Sequence, residues 1–423
     1  MSAVRTLVVC HYFPPEIGAP QARISEMARA WADAGDQVTV LTGMPNHPTG
    51  IVPPEYRGRL RAVEATGGHR VVRTWLYATP NEGVVRKTLG HLSFMVTAVA
   101  LGLRPTGPAD AVVVSSPTFF SILSAWVLAK AKRAALVVEI RDLWPAIFVE
   151  LGVLTNPVAI RALEAVELWS YGQADEVVVV SEGFRDDLIR RGVDPAKITT
   201  IRNGVDLDRF AVTDEPDRGW RRRLGAGDDD VLVLYIGAHG ISHGLTSVAD
   251  AVAALERDDV RVAFVGEGAA KADLVARVAE LGLTHVTLHD GVPRDDVPDI
   301  LSAADICLVP LRDVSLFSTF IPSKIFEYLG SGKAVIGSVR GEPAEILAEA
   351  GAVVVGPEDA PALAAAIDAL AADPAARARM GAEGRTYVAR HFDRTQLAER
   401  YRTVIGRAVE GHRRRRTAHR SRR

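Results

Sequence analysis

FSTFIPSKIFEYLGSGKAVIG, residues 317 to 337, reads as a loop, a short helix, a Gly-x-Gly turn and a buried strand. Ile325, Phe326 and Leu329 suit a helix packed on a sheet. Ser323, Lys324 and Glu327 fall on one side of that helix, at its mouth, by spacings of three and four. Pro322 suits a first helical turn. Free amides near Ser323 and Lys324 would cradle a diphosphate, and the Lys324 ammonium would offset its charge. Glu327, one turn deeper, is wrongly charged for phosphate but right for two vicinal hydroxyls, as in a ribose. The cluster therefore suits a nucleoside diphosphate. The plainer reading is surface polarity with a Lys324–Glu327 pair.

The same strand–loop–helix unit recurs along the chain. Strand candidates in the first half are 6–10, 37–41, 70–74, 111–115, 135–140, 176–181 and 198–202. In the second half they are 231–237, 260–266, 285–289, 305–310, 334–338 and 352–356. Between the first two lies a helix with Ile24, Met27, Ala28 and Trp31 on one face. Near-continuous apolar strands separated by helices predict parallel sheets covered on both faces. The fold expected is α/β, with two doubly wound Rossmann-like domains facing a cleft. The boundaries expected are 1–205 for an acceptor-side domain and 206–228 for a polar linker. A nucleotide-sugar donor domain follows over 229–393, then a helix over 394–410 that can cross back to the first domain. An Arg-rich tail, 411–423, is expected to be disordered.

Length and composition agree. The chain has 423 residues, 48% hydrophobic and 24% charged, which suits two soluble domains. The two cysteines, Cys10 and Cys307, lie in separate apolar runs and read as buried packing in a reducing compartment. The opening MSAVRTLVVCHYFPP does not read as a signal peptide, because its apolar run passes straight into a Pro-Pro loop. LSFMVTAVALGL, 92–103, is twelve residues against the roughly 20 that span a bilayer. It reads as a core helix or as one lying on a membrane surface between Arg86, Lys87 and Arg104. Net charge is −2, and without the seven arginines of the tail it is −2 − 7 = −9. An acidic body without an interleaved basic and aromatic face argues against a nucleic-acid protein.

Ligands of open parallel sheets bind beyond the carboxyl ends of the strands, so the loops there are the candidates. In HYFPPEIGAPQAR, 11–23, Glu16, Gly18 and Ala19 lead into a helix, and Arg23 could add charge to a phosphate or sugar seat. Arg141 and Asp142 follow a buried strand and form either a structural pair or a contact to the reacting sugar. In YIGAHGISHGL, 235–245, His239 and His243 can donate to phosphate oxygens or titrate near neutral pH. A metal held by the pair lacks a third ligand nearby. In FVGEGAAKADL, Gly266 and Gly268 begin a dinucleotide-like pattern whose third glycine is replaced by Lys271, and Asp290 lies 22 residues past Gly268. That spacing suggests an NAD-dependent oxidoreductase as an alternative. The acids at 228–230 precede a strand in the linker, where a metal site is not expected.

ADEVVVVSEGFRDDLIRRGVDPAKITTIRNGVDLDRF (174–210) and ADICLVPLRDVSLFSTFIPSKIFEYLGSGKAVIGSVRGEPAEIL (304–347) resemble family-4 glycosyltransferases of the GT-B fold. AHGISHGL and PSKIFEYL resemble the bacterial surface-polysaccharide branch, notably L-fucosaminyltransferases of O-antigen clusters. The resemblance implies a nucleotide-sugar donor, UDP-linked, with Glu327 on the ribose. The family's first acid falls at Thr319, which is not acidic, so backbone groups of Ser318, Thr319 and Phe320, with Ile321 beside them, substitute for it. Gly266, Glu267 and Gly268 match the second glycine turn, and Val292 falls where backbone meets the base. The basic pair of the first loop is replaced by His239 and His243, which leaves more of the diphosphate charge to Lys324. A His-Asp pair of many relatives stands here as Arg141-Asp142. The activity implied is retaining transfer without a metal or cofactor, to a polyprenyl-diphosphate-linked or glycan acceptor on the inner face of the plasma membrane. A catalytically inactive sugar-nucleotide or lipid-binding module is the further alternative.

Overall fold

The computed structural model describes every residue except 1–2, 17, 48, 80–83, 117–118, 151, 153, 214, 256 and 422–423, and only the backbone of 19, 84 and 419–421. The chain divides into two compact units. One is Met1–Arg202 with Thr395–Arg423, and the other is Asn203–Arg394.

The first unit holds an eight-stranded sheet in the order β3-β4-β2-β1-β5-β6-β7-β8. The strands are β1 (Arg5–Val9), β2 (Gln37–Gly43), β3 (Arg61–Thr66), β4 (His69–Thr74), β5 (Ala111–Ser116), β6 (Ala135–Ile140), β7 (Glu176–Val179) and β8 (Ile198–Thr200). All neighbours are parallel except β3 and β4. Strand β3 was not expected from the sequence. It is an edge strand, mostly exposed, joined to β4 through Gly67 and Gly68, both at positive φ. Two consecutive residues of that kind make the tight hairpin turn that suits strand twist.

The second unit is a six-stranded, fully parallel sheet in the order β11-β10-β9-β12-β13-β14. Its strands are β9 (Val231–Ile236), β10 (Val260–Val265), β11 (Val286–His289), β12 (Ile306–Pro310), β13 (Ala334–Ser338) and β14 (Val353–Val355). Every residue of β9, β12 and β13 is buried, as strands covered on both faces require. The residues expected as a linker, 206–228, belong to this unit. Arg221 is buried in the short helix Arg218–Arg223, bonding Asp305 at 2.9 Å and the Ala303 carbonyl at 2.9 Å. Asp228 pairs with Arg218 at 3.7 Å and Asp230 with Arg261 at 3.4 Å.

The last helix, Arg394–Ser421, packs into the first unit. Leu397, Tyr401, Val404, Ile405 and Ala408 recur at helical spacing and lie in the core with Val8, Val40, Val113 and Trp31. The Trp31 indole donates to the Ala398 carbonyl at 3.0 Å, and Arg402 pairs with Asp36 at 2.8 Å. The tail is not disordered where it is described: the helix runs on through Ser421. Arginine runs read as solvated when their partners are out of view. Here the partners lie at the amino ends of the strands. Arg413 meets Asp110 at 3.0 Å, Arg415 meets Asp175, and Arg416 donates to the Arg133 carbonyl at 3.0 Å. Arg422 and Arg423 fall outside the described residues.

The apolar stretch 92–103 belongs to the helix Val84–Gly102. Phe94 and Ala98 are core, while Val85, Leu89 and Val96 are exposed. No described helix is long and apolar enough to cross a membrane. Cys10 and Cys307 are buried thiols, pushed up to about 12 by desolvation.

Tyr401→Ala removes a fully buried ring from the seam between the last helix and the sheet. Urea unfolding should show a loss of about 3–5 kcal/mol for the first unit.

Candidate nucleotide site

The carboxyl edge of the second sheet is closed by two interlocked loops, one after β9 and one after β10. The amide of His239 donates to the Glu267 carbonyl at 2.8 Å, and that of Ala270 to the His239 carbonyl at 2.9 Å. Gly266 and Gly268 have φ of 151° and 158°. A Cβ on Gly266 would lie 1.9 Å from the Gly237 oxygen, and one on Gly268 2.3 Å from the His239 oxygen. These glycines are therefore required by loop-on-loop contact within the protein, which the dinucleotide-like spacing does not reveal.

Lys324 begins a seven-residue helix, Lys324–Gly330, too short to be an anion site by its dipole alone. What marks the place is the side chain. Nζ sits 3.6 Å from the centroid of the Tyr235 ring, is buried, and has no hydrogen-bond partner. A Cβ on Gly237 would be 3.1 Å from it. Burial holds the Lys324 pKa well below the usual lysine range, opposed weakly by Glu327. Tyr328, from the same helix, accepts from the Ile236 amide at 3.0 Å and donates to its carbonyl at 2.8 Å. It ties the helix to the end of β9. The Tyr235 hydroxyl donates to the Ala238 carbonyl at 2.6 Å. Neither tyrosine was singled out from the sequence, where both look like core aromatics. A buried hydroxyl's need for a partner was the available signal.

His239 is fully buried and both ring nitrogens lack partners. Desolvation, then Lys271 and Lys324, hold it down at about 4. His243 is held at about 3 by burial and by Lys324. Titration of this pair near neutral pH, expected from the sequence, is thus overturned in the ligand-free site: both rings are neutral and each can donate only one N–H. Among the described residues no group of three or more His, Cys, Asp and Glu is placed to hold a metal.

Glu327 pairs with Arg294 at 3.1 Å, and not with Lys324; Arg294 lies over the Phe210 ring at 5.9 Å. Val292, half-buried, precedes Arg294 by two residues. Ser323 adopts helical backbone and makes no side-chain cap. The hydroxyls of Ser318 and Thr319 donate to the carbonyls of Ser315 and Leu316 at 2.7 and 3.0 Å, within one turn. Phe320 is half-buried and Ile321 is buried. Glu267 and Asp290 both pair with Lys271, at 2.8 and 2.5 Å. Asp290 is thereby engaged, and the glycine turn follows the second strand of the unit where a dinucleotide fold places it after the first. Both findings count against the oxidoreductase reading.

In the first unit the candidates form a buried charge cluster. Arg23 donates to Glu139 at 2.9 Å and to the carbonyls of Arg202 and Ile201 at 2.9 and 3.0 Å. It is not a charge presented to a ligand, because its donors are spent inside the core. Glu16 accepts from the amides of Asn46, His47 and Phe13 at 2.8, 2.8 and 3.2 Å and is likewise structural. Gly18 caps the following helix in extended backbone, and of Ala19 only the backbone is described. Arg141 is buried beside Glu139, whose pKa stays low because Arg23 and Arg141 outweigh its desolvation. Burial raises Asp142, and Arg141 opposes the shift.

Residues 18–204 match the glycosyl transferase 4-like domain and residues 217–387 match glycosyl transferases group 1. The chain therefore carries the two domains of a glycosyltransferase of the GT-B fold, built of two Rossmann-like α/β units. A Bacillus subtilis (strain 168) relative named for teichuronic acid biosynthesis, the glycosyltransferase TuaC, is 28% identical over 46% of each chain. A GDP-mannose-dependent alpha-(1-6)-phosphatidylinositol monomannoside mannosyltransferase of Mycolicibacterium smegmatis is 29% identical over 56% of this chain and 62% of its own. The matches thus span less than two thirds of either relative. Anabaena HepE, solved with UDP and glucose, shares the fold with a TM-score of 0.71 and 16% identity, over 95% of this chain and 99% of its own.

Two outcomes test these assignments. Lys324→Met removes a buried, unpartnered charge, so the ligand-free protein should gain about 1–3 kcal/mol at neutral pH by urea unfolding. Because folding depresses the Lys324 pKa, wild-type stability should rise with pH between the depressed and ordinary lysine values, and the variant should flatten that slope. Arg23→Met should cost about 3–5 kcal/mol, since it strands Glu139. The depressed Glu139 pKa contributes stability above the unfolded carboxylate value and loses it as pH falls through the folded one. In the variant, acid unfolding should therefore begin at higher pH.

Proposed function

We propose that the chain is a retaining glycosyltransferase. It moves a hexose or an N-acetylated amino sugar from a UDP-linked donor to a lipid-linked or glycan acceptor in cell-surface polysaccharide synthesis. The observation that carries this is the buried Lys324 ammonium with no acceptor, in the unit that matches glycosyl transferases group 1. A buried cation that no protein oxygen satisfies is costly, and a diphosphate removes the cost. As the glycosidic bond breaks, charge builds on the leaving diphosphate. Lys324 meets that charge where desolvation strengthens it, and losing one such donor costs about 2.7–4 kcal/mol of barrier. His239 and His243, neutral, add one N–H each. Glu327 takes the ribose hydroxyls when Arg294 yields it. Thr319 leaves the sugar to backbone groups of 318–320.

HepE in its UDP and glucose complex supports a uridine donor, and the teichuronic acid relative supports a surface polymer as product. The stretches AHGISHGL and PSKIFEYL alone support the L-fucosaminyl branch. The exposed Val85, Leu89 and Val96 suit a peripheral approach to the inner membrane face.

A thermal-shift panel of UDP, GDP, ADP and NAD tests the reading. UDP should stabilise most, and Glu327→Ala and Lys324→Ala should each abolish most of its shift. UDP release with a purified lipid-linked acceptor should persist in EDTA and should be absent for an inactive module. Equal shifts in parent and both variants would remove the site assignment.

A further inference from the structure

The first unit has a second polar pocket that the donor reading leaves unused. It opens at the carboxyl ends of β1, β2 and β4, lined by His11, Tyr12, His47 and Tyr77, with Lys87 and His91 from the helix Val84–Gly102. The rings are packed on one another: His11 lies 4.7 Å from His91 and 4.4 Å from Tyr12, centroid to centroid, and Tyr12 lies 5.1 Å from His47. The Tyr12 hydroxyl is 3.3 Å from Nε2 of His91. His11 is 5% exposed, and its Nδ1 has no hydrogen-bond partner; Nδ1 of His47 is in the same state. Buried polar atoms are nearly always satisfied, so two bare imidazole nitrogens in one pocket point to a missing ligand.

The chemistry of the lining narrows what that ligand is. Among the described residues that line it, Lys87 is the one charged group and none is a carboxylate. Glu16, whose charge is felt by Tyr12, already accepts three backbone amides and lies in the field of Arg73. Sugar hydroxyls could use the neutral imidazoles, Asn46 and the tyrosine hydroxyls as well; it is the Lys87 ammonium that favours an anion. A carboxylate offers two oxygens. An ammonium, three imidazoles and a phenol match the three or more oxygens of a phosphoryl group better.

We propose that this pocket seats the phosphoryl group of the acceptor, with Lys87, His11, His47 and His91 as its donors. The inference rests on the acceptor half of the function proposed above and is independent of the donor site. Without an anion the imidazoles are neutral. Desolvation, with Lys87 and the neighbouring rings, lowers His11 and His47 and holds His91 at about 4. Burial also raises Tyr12, near Glu16. A bound anion opposes these shifts and favours protonated rings, so binding strengthens as pH falls.

Calorimetric titration of the full chain with inorganic phosphate and with geranyl phosphate, at about pH 6 and about pH 8, tests this. Both should bind, more tightly at the lower pH, and Lys87→Met and His91→Gln should each weaken binding about tenfold. Tighter geranyl phosphate assigns the seat to a lipid-borne phosphate, and equal affinity assigns it to a sugar-borne or free one. Lys87→Met should keep its UDP affinity, while Lys324→Met should lose UDP and keep both phosphates. Circular dichroism checks folding, and His47→Gln replaces any variant that fails it. If neither phosphate binds, or binding ignores the variants and the pH, the inference is overturned. Phosphate binding without UDP binding would instead overturn the donor reading alone.

Discussion

The second unit is organised around an ammonium buried at the end of its central strand. Lys324 has the Tyr235 ring beneath it and no oxygen above it. The ring's negative face returns part of the lost hydration, on the order of 2 kcal/mol when desolvated, and the remainder is a standing cost. The surroundings enforce that cost. Tyr328 bolts the lysine's helix to the end of β9, and the loops after β9 and β10 are locked so tightly that a single methyl cannot enter. His239 and His243 are kept neutral chiefly by burial, and the field of Lys324 adds to the effect. Burial thus sets the protonation of the whole group, the lysine and both imidazoles alike.

The first unit handles burial differently. Its fully buried Glu139 is paired through Oε1 with Arg23, and Arg141 lies alongside. That cluster contributes to the fold. The contrast separates the two kinds of buried cation: Arg23 has its oxygens and Lys324 has none.

Most strands were legible because strands covered on both faces are near-continuous apolar runs, as in VLVLYI and ALVVEI. Strand β3 was not, because an exposed edge strand such as RAVEAT carries no such run. The polar, turn-rich stretch 206–228 looked like a linker, since nothing local shows that Arg221 is buried against Asp305. The arginine tail looked solvated because Asp110 and Asp175 lie hundreds of residues away. At the candidate site, Lys324 and Glu327 were visible from spacing on one short helix. The close packing that Gly266 and Gly268 allow was not legible, because the atoms that demand glycine belong to another loop. His11, His47 and His91 are single histidines in three separate segments, and only the sheet brings them together.

Residues 204–205 and 392–394 run side by side, with a bridge between Val205 and Asp393 and amides exchanged from Val205 to Phe392 and from Arg394 to Val205. The second unit therefore begins and ends at one point. In topological terms it is an insertion spliced into a domain whose own last helix is supplied afterwards. A module joined in this way can be exchanged for another without breaking the core that receives it. The same arrangement means that during synthesis the first domain must wait, lacking its final helix, until the inserted one has been made.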